Sequence, residues 1–212
     1  ATAICADRGA SVLILAGPGN NGGDAFEVAA LLRERFFDTH VVFVGPANDL
    51  PMDAADAFRR FVDTGGSTLP AIPVRLRWSL IVDGLFGIGL KREIGDPYAG
   101  LIRSANALAA RDGCPLLALD CPSGLDADTG KLHGATIRAS HTITFIGAKP
   151  GLFTADGPDH CGEISIDPLD LDSKALSPAS GHSIDRTLFS AHLKARPRNS
   201  HKGSNGNAGV LG

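Results

Sequence analysis

Three stretches of this chain set oxygen-bearing side chains among glycines, each directly after an apolar run. They are Gly17-Pro18-Gly19-Asn20-Asn21-Gly22-Gly23-Asp24, then Asp83-Gly84-Leu85-Phe86-Gly87-Ile88-Gly89-Leu90, then Asp120-Cys121-Pro122-Ser123-Gly124. Glycine lets a backbone turn tightly and approach a ligand, and a helix that follows offers N–H groups with no partner inside the helix. Asparagine and aspartate add acceptors, and aspartate can also carry a proton. Any one stretch alone is equally the composition of an ordinary turn. Together they point to a polar ligand site. No G-x-x-x-x-G-K-[ST] is present, so a P-loop is excluded. Gly17, Gly19 and Gly22 fit G-x-G-x-x-G, but a dinucleotide-binding oxidoreductase places an acid at the end of its second strand, and here Val44 is followed by Gly45-Pro46. Hydride transfer with bound NAD is therefore disfavoured.

The elements that position these stretches are legible as apolar runs. Val12–Ala16, Val41–Val44, Leu80–Val82, Leu116–Leu119 and Thr142–Phe145 read as buried strands, and Gly162–Ile166 alternates like an edge strand. Between them, Ala25, Val28, Ala29, Leu32 and Phe36 recur at helical spacing, with further helices over Ala54–Val62 and Leu101–Ala110. Near-continuous apolar strands alternating with amphipathic helices predict an α/β fold, a mostly parallel sheet covered on both faces. In such a sheet ligands collect outside the carboxyl ends of the strands. All three motifs follow strand ends.

Composition narrows the function classes. The chain has 212 residues and a formal net charge of −3, with no basic stripe, so nucleic-acid binding by charge is not expected. No apolar run approaches the roughly 20 residues of a transmembrane helix, and the start carries no signal-peptide pattern. Membrane association is not expected either. Cys5, Cys114, Cys121 and Cys161 are widely spaced with no C-x-x-C, which suits reduced thiols in the cytoplasm, with Cys121 as a packing residue. Beyond Asp172, Ser173–Ser180 is rich in Ser, Pro and Ala and reads as a linker, followed by a short helix over Ile184–Leu193.

With Val82 added before the second motif, Leu125-Asp126-Ala127-Asp128-Thr129-Gly130 after the third, and Thr142–Phe145 followed by Lys149-Pro150-Gly151-Leu152, the order and spacing resemble the YjeF N-terminal domain family, the NAD(P)H-hydrate epimerases. The resemblance covers Ser11 to Asp167. It departs from the family pattern in lacking most of the helices that precede the first strand, and in Cys121, where an aliphatic residue is usual. It implies a three-layer αβα Rossmann-like sandwich and an isomerase that interconverts the R and S hydrates of NADH or NADPH at C6 of the reduced nicotinamide ring. Asp120 is then the catalytic acid and base; a cap to the Ser123-Gly124 backbone is the structural alternative. The dinucleotide substrate lies across Asn20, Asn21, Gly22, Gly23 and Asp24, and across Gly87, Ile88, Gly89, Leu90, Lys91, Arg92 and Glu93. Lys91 and Arg92 are each either phosphate contacts or solvated surface charges. Lys149, ahead of Pro150-Gly151, either approaches the same mouth or is a surface lysine, with the surface role favoured. The resemblance further implies potassium held by Asn21, Asp83 and Ser123, and a homodimer.

The tail Arg196–Gly203 resembles the entry into a ribokinase-like NAD(P)H-hydrate dehydratase domain. The chain is thus expected to be an epimerase domain over residues 1–172, with a linker and the beginning of a dehydratase domain over 173–212. Two other readings compete. One is a non-catalytic nucleotide-binding or dimerisation module of the same fold. The other assigns the activity to a C-terminal ADP-dependent dehydratase domain.

Overall fold

The computed structural model describes residues 9–171, and beyond them 181–182, 184, 186–190 and 198–199. Contacts divide the chain into two units, Ala1–Asp170 and Leu171–Gly212. In the second, Arg186–Phe189 forms one helical turn (α5), within the helix expected over Ile184–Leu193; the tail motif lies outside the described residues apart from Arg198 and Asn199.

The first unit is built on seven strands: β1 (Ser11–Ala16), β2 (Asp38–Phe43), β3 (Thr68–Leu69), β4 (Leu80–Gly84), β5 (Leu116–Leu119), β6 (His141–Phe145) and β7 (Glu163–Asp167). They pair in the order β3-β2-β1-β4-β5-β6-β7, and every pairing is parallel. Helices α1 (Asn20–Glu34), α2 (Met52–Asp63), α3 (Tyr98–Asp112) and α4 (Pro158–Cys161) connect them.

Alternation along the strands sends side chains to two separate cores. Val12, Ile14, Val41, Phe43, Leu80 and Val82 pack beneath α1 and α2, where Phe26 meets Phe43, Phe58 and Phe61 at ring-centroid distances of 5.5, 5.0 and 5.9 Å. On the other face Leu13, Leu15, Ile81 and Leu116 pack against Leu101, Ile102, Ala105 and Leu108 of α3. That helix ends at Gly113, whose left-handed φ of 63° terminates it without the strain a side chain brings.

Several boundaries differ from the sequence reading. Helix α1 begins at Asn20, inside the first motif, so Asn20–Asp24 form its first turn rather than a loop. Phe36, expected on its apolar face, lies beyond its end with φ 66° and is 74% exposed. Strand β2 starts at Asp38 and stops at Phe43, and β4 extends through Asp83 and Gly84. Strand β3 was not expected: two residues carry no periodicity.

Strand order reverses at β1, which has β2 on one side and β4 on the other. This topological switch point is where open α/β sheets form a crevice at the carboxyl ends of their strands. The first and second motifs leave the sheet there, and the third leaves from β5 next door.

Candidate functional site

At the carboxyl edge of the sheet a cleft of about 950 Å³ opens between the three motifs and the end of β6. Asn20, Asn21 and Asp24 line one wall, Gly87 to Arg92 another, and Asp120, Phe145, Ile146 and Lys149 the third. Close backbone contact holds the walls together. The Gly17 N–H donates to the Gly84 carbonyl at 3.0 Å, and a β-carbon on Gly17 would stand 1.7 Å from the Leu85 carbonyl oxygen. A β-carbon on Gly22 would stand 1.9 Å from the Gly17 carbonyl, and one on Gly23 2.9 Å from Ala54 of α2. These glycines therefore allow one part of the chain to lie against another. Gly22 and Gly23 are buried and do not line the cleft, and neither does Glu93.

Beneath the cleft floor lies a fully buried carboxylate. Asp83 is the penultimate residue of β4, pairs in register with Leu15 and Ala118, and has no exposed surface. Its Oδ1 accepts from the Leu85 N–H at 3.2 Å and the Ser123 hydroxyl at 2.7 Å, and its Oδ2 accepts from the Ser123 N–H at 2.8 Å. The Phe86 N–H donates to the Ser123 Oγ at 2.9 Å, which ties the second motif to the third. Burial outweighs these bonds and pushes the Asp83 carboxyl up to about 6. Asn21, whose backbone carbonyl would stand 2.9 Å from a β-carbon on Gly84, has both its amide oxygen and its amide nitrogen buried without a hydrogen-bond partner. A native structure seldom orphans a buried amide.

Asp120, one residue past β5, adopts φ 64°, a left-handed conformation uncommon outside glycine. Its N–H donates to the Ile143 carbonyl at 2.7 Å, which anchors it to β6. The alternative of a cap to Ser123-Gly124 is not adopted: the Ser123 N–H goes to Asp83, while Asp120 Oδ2 accepts from the Ile88 N–H at 3.2 Å. Gly87 faces the same carboxylate. A β-carbon there would stand 2.8 Å from Asp120 Oδ2 and 3.5 Å from Asn21 Cγ.

Of the two readings open for Lys149, the structure adopts the cleft one, and Asp24 lines the cleft as expected. The Lys149 side chain is only 17% exposed and ion-pairs with Asp120 Oδ1 at 2.8 Å, so it is not a surface lysine. Its place depends on strand pairing between distant segments, which no local pattern announces. Asp24 opens onto the cleft, yet partial burial and then the Asp120 charge push its carboxyl up to about 6. Lys91 reaches across an exposed loop to Asp128 Oδ2 at 2.7 Å, while Arg92 lines the cleft and is exposed. Cys121 is buried, and burial pushes its thiol up to about 12, a packing group rather than a nucleophile.

The rest of the third motif is a buttress. Asp126 Oδ1 accepts from the N–H groups of Asp128 and Thr129 and from the Thr129 hydroxyl at 3.0, 2.9 and 2.9 Å, and its Oδ2 meets His133 Nε2 at 3.2 Å. These bonds hold its carboxyl well below the usual range. The Gly151 N–H then donates to the Ala127 carbonyl at 2.7 Å, and a β-carbon on Gly151 would stand 2.1 Å from the Asp126 carbonyl. Lys149 is set over Asp120 by this contact.

Comparison with known proteins agrees with this architecture. The chain is 44% identical over 173 residues to an NAD(P)H-hydrate epimerase of Achromobacter xylosoxidans (strain A8), covering 81% of this chain and 80% of that one. It is 37% identical over 209 residues to the bifunctional NAD(P)H-hydrate repair enzyme Nnr of Escherichia coli (strain K12), covering 94% of this chain and 38% of the relative. The crystal structure of yeast ynu0, YNL200c, superposes with a TM-score of 0.60 at 20% identity, covering 75% of this chain and 65% of that one, a likeness of fold. A family profile described as YjeF-related protein N-terminus matches residues 1–151, and the chain belongs to that family.

Proposed function

We propose that this chain is an NAD(P)H-hydrate epimerase, an isomerase of nicotinamide cofactor repair, and that Asp120 is its proton-transferring group. The observation that carries the assignment of Asp120 is its placement: a carboxylate held in a left-handed turn, with Oδ2 beside Gly87 and Ile88 in the one cleft that all three motifs enclose. Inverting C6 requires its hydroxyl to leave, or the ring to open, and oxygen to return on the other face. Either route needs a proton delivered to oxygen and another removed, which one positioned carboxyl does. Asn20, Asn21 and Asp24 of the first turn of α1 line the cleft, and the start of a helix is suited to pyrophosphate. Asn20, Asn21, Asp24 and the segment Gly87–Arg92 are assigned to the dinucleotide.

Asn21, Asp83 and Ser123 suit a potassium ion. A buried carboxylate without a cationic partner among the described residues and an orphaned amide are the oxygen donors such an ion takes, while His or Cys ligands are absent from the set. Asn21, Asp83 and Ser123 would hold the ion, which would supply positive charge to offset Asp83. The segment from Ser173 is assigned to a linker and the beginning of a dehydratase domain. The match to the E. coli enzyme spans 94% of this chain, too long to stop at residue 172, which supports that reading. Homodimer formation is part of the proposal. Among the described residues no helix is long and apolar enough to cross a membrane.

The purified chain is expected to equilibrate a single NADHX epimer with the epimer of opposite configuration at C6, followed by chromatography, far faster than buffer alone. Binding of the hydrate without turnover would instead support the non-catalytic module. Gly87→Ala tests the geometry. Its methyl group displaces Asp120 Oδ2, and a misplacement of this size lowers kcat about 10²-fold. The melting temperature is expected to change little, because the three atoms nearest the methyl belong to side chains and only one of them lies under 3 Å. Full activity in that variant would contradict the placement of the reacting oxygen.

A further inference from the structure

Lys149 has the most fully specified surroundings of the charged groups in the cleft. The ammonium has three N–H donors and three acceptors around it: Asp120 Oδ1 at 2.8 Å, Thr144 Oγ1 at 2.8 Å and the Phe145 carbonyl at 2.7 Å. Thr144 is fully buried in β6, and its hydroxyl also lies 3.5 Å from Asp120 Oδ1. Lysine is ordinarily a flexible, strongly hydrated surface charge, and holding it in one rotamer against buried acceptors costs side-chain entropy. A solvated lysine has no need of such a cage.

The two oxygens of Asp120 are thereby made unequal. Oδ1 is taken up by Lys149 and Thr144 on the β6 side, while Oδ2 receives one bond, from the Ile88 N–H at 3.2 Å. We propose that Lys149 is a positioning residue: caged by Thr144 and the Phe145 carbonyl, it pins Asp120 Oδ1, so that Oδ2 alone exchanges the proton with the C6 oxygen of the hydrate. The supports are rigid ones. Thr144 and Phe145 pair in register with Ile166 and Asp167 of β7, just past the last residue of β6 that pairs with β5, and Pro150-Gly151 is docked on the Asp126–Ala127 backbone. Lys149 therefore stays in place as charge on Asp120 comes and goes. A carboxylate free to rotate would present either oxygen, and the left-handed turn alone does not choose between them.

This inference rests on the epimerase reading, and two measurements keep their failures apart. In epimerisation, Lys149→Met is expected to lower kcat about 10²-fold with KM within about 3-fold of the unmutated value, since positioning acts on the reacting geometry rather than on dinucleotide binding. Thr144→Val, which removes one acceptor of the cage and is close in shape, is expected to lower kcat less and to leave KM unchanged. Exogenous propylammonium is expected to restore part of kcat to Lys149→Ala, which a merely structural loss would not allow. An unchanged kcat, or a raised KM with kcat intact, overturns the proposal. The second measurement needs no activity: thermal melts of Lys149→Met, Asp120→Asn and the double variant. The destabilisations are expected not to add, because the two side chains share one interaction. Additive shifts overturn the pinning even in an active enzyme. Coupled shifts in a chain that does not epimerise leave the pinning intact and overturn the functional reading alone.

Discussion

Gly17→Ala is expected to cost more than 4 kcal/mol of folding stability, which places it among the most damaging single substitutions. The added methyl would stand 1.7 Å from the Leu85 carbonyl oxygen, well inside any van der Waals contact, and both partners are backbone. Neither can move without breaking the Gly17–Gly84 hydrogen bond or shifting the end of β4, and with it Asp83. Gly19→Ala is the matching control, two residues on in the same motif. A methyl there meets nothing within 4 Å, and its only cost is a poorer N-cap to α1, expected to stay below about 1 kcal/mol. Urea denaturation followed by circular dichroism reads both. Comparable losses in the two variants would show that this loop is not held by close backbone approach.

The second large effect concerns Asp83 and pH. Its carboxyl is raised from 3.8 to about 6 by burial, so between those values the folded protein binds more protons than the unfolded chain. Stability therefore falls as pH rises through that window, and the loss is complete above it. At about 1.4 kcal/mol per unit, the penalty in buffer free of alkali cations reaches on the order of 2–3 kcal/mol. Asp24 shifts the same way, but it is exposed to solvent, so its share of the slope is screened and smaller. Asp83→Asn removes the part due to Asp83, whatever its effect on absolute stability. Potassium chloride above pH 6 is expected to raise the melting temperature of the unmutated chain relative to tetramethylammonium chloride, and not that of Asp83→Asn. A flat pH profile, or equal response of the two proteins to potassium, would contradict the role given to this buried acid.

How much of this the sequence carried depends on whether a signal was local. The strands were legible because a parallel sheet covered on both faces needs unbroken apolar runs, and Leu116–Leu119 matches β5 residue for residue. The start of α1 was hidden for the opposite reason. Asn20-Asn21-Gly22-Gly23 is a poor helix former, and tertiary packing of Gly22 on Gly17 and of Gly23 on Ala54 overrides that propensity. Those contacts also change what the glycines are for: they let backbone meet backbone. The three acids announced themselves by following apolar runs, but their different depths did not. Asp83 ends inside the sheet and Asp120 beyond it, a distinction set by where each strand stops pairing. Lys149 lies 29 positions from Asp120 in the chain and meets it only through the pairing of β5 with β6. No spacing rule reaches across that gap.

The most direct test of the account compares initial rates of NADHX epimer interconversion by the unmutated chain and by Asp120→Asn, with hydrate binding measured in parallel. A positioned acid–base group contributes about 10²–10⁴-fold to a rate, so the variant is expected to lose that much in kcat while still binding the hydrate. Equal rates in the two proteins would contradict the assignment of the chemistry to Asp120.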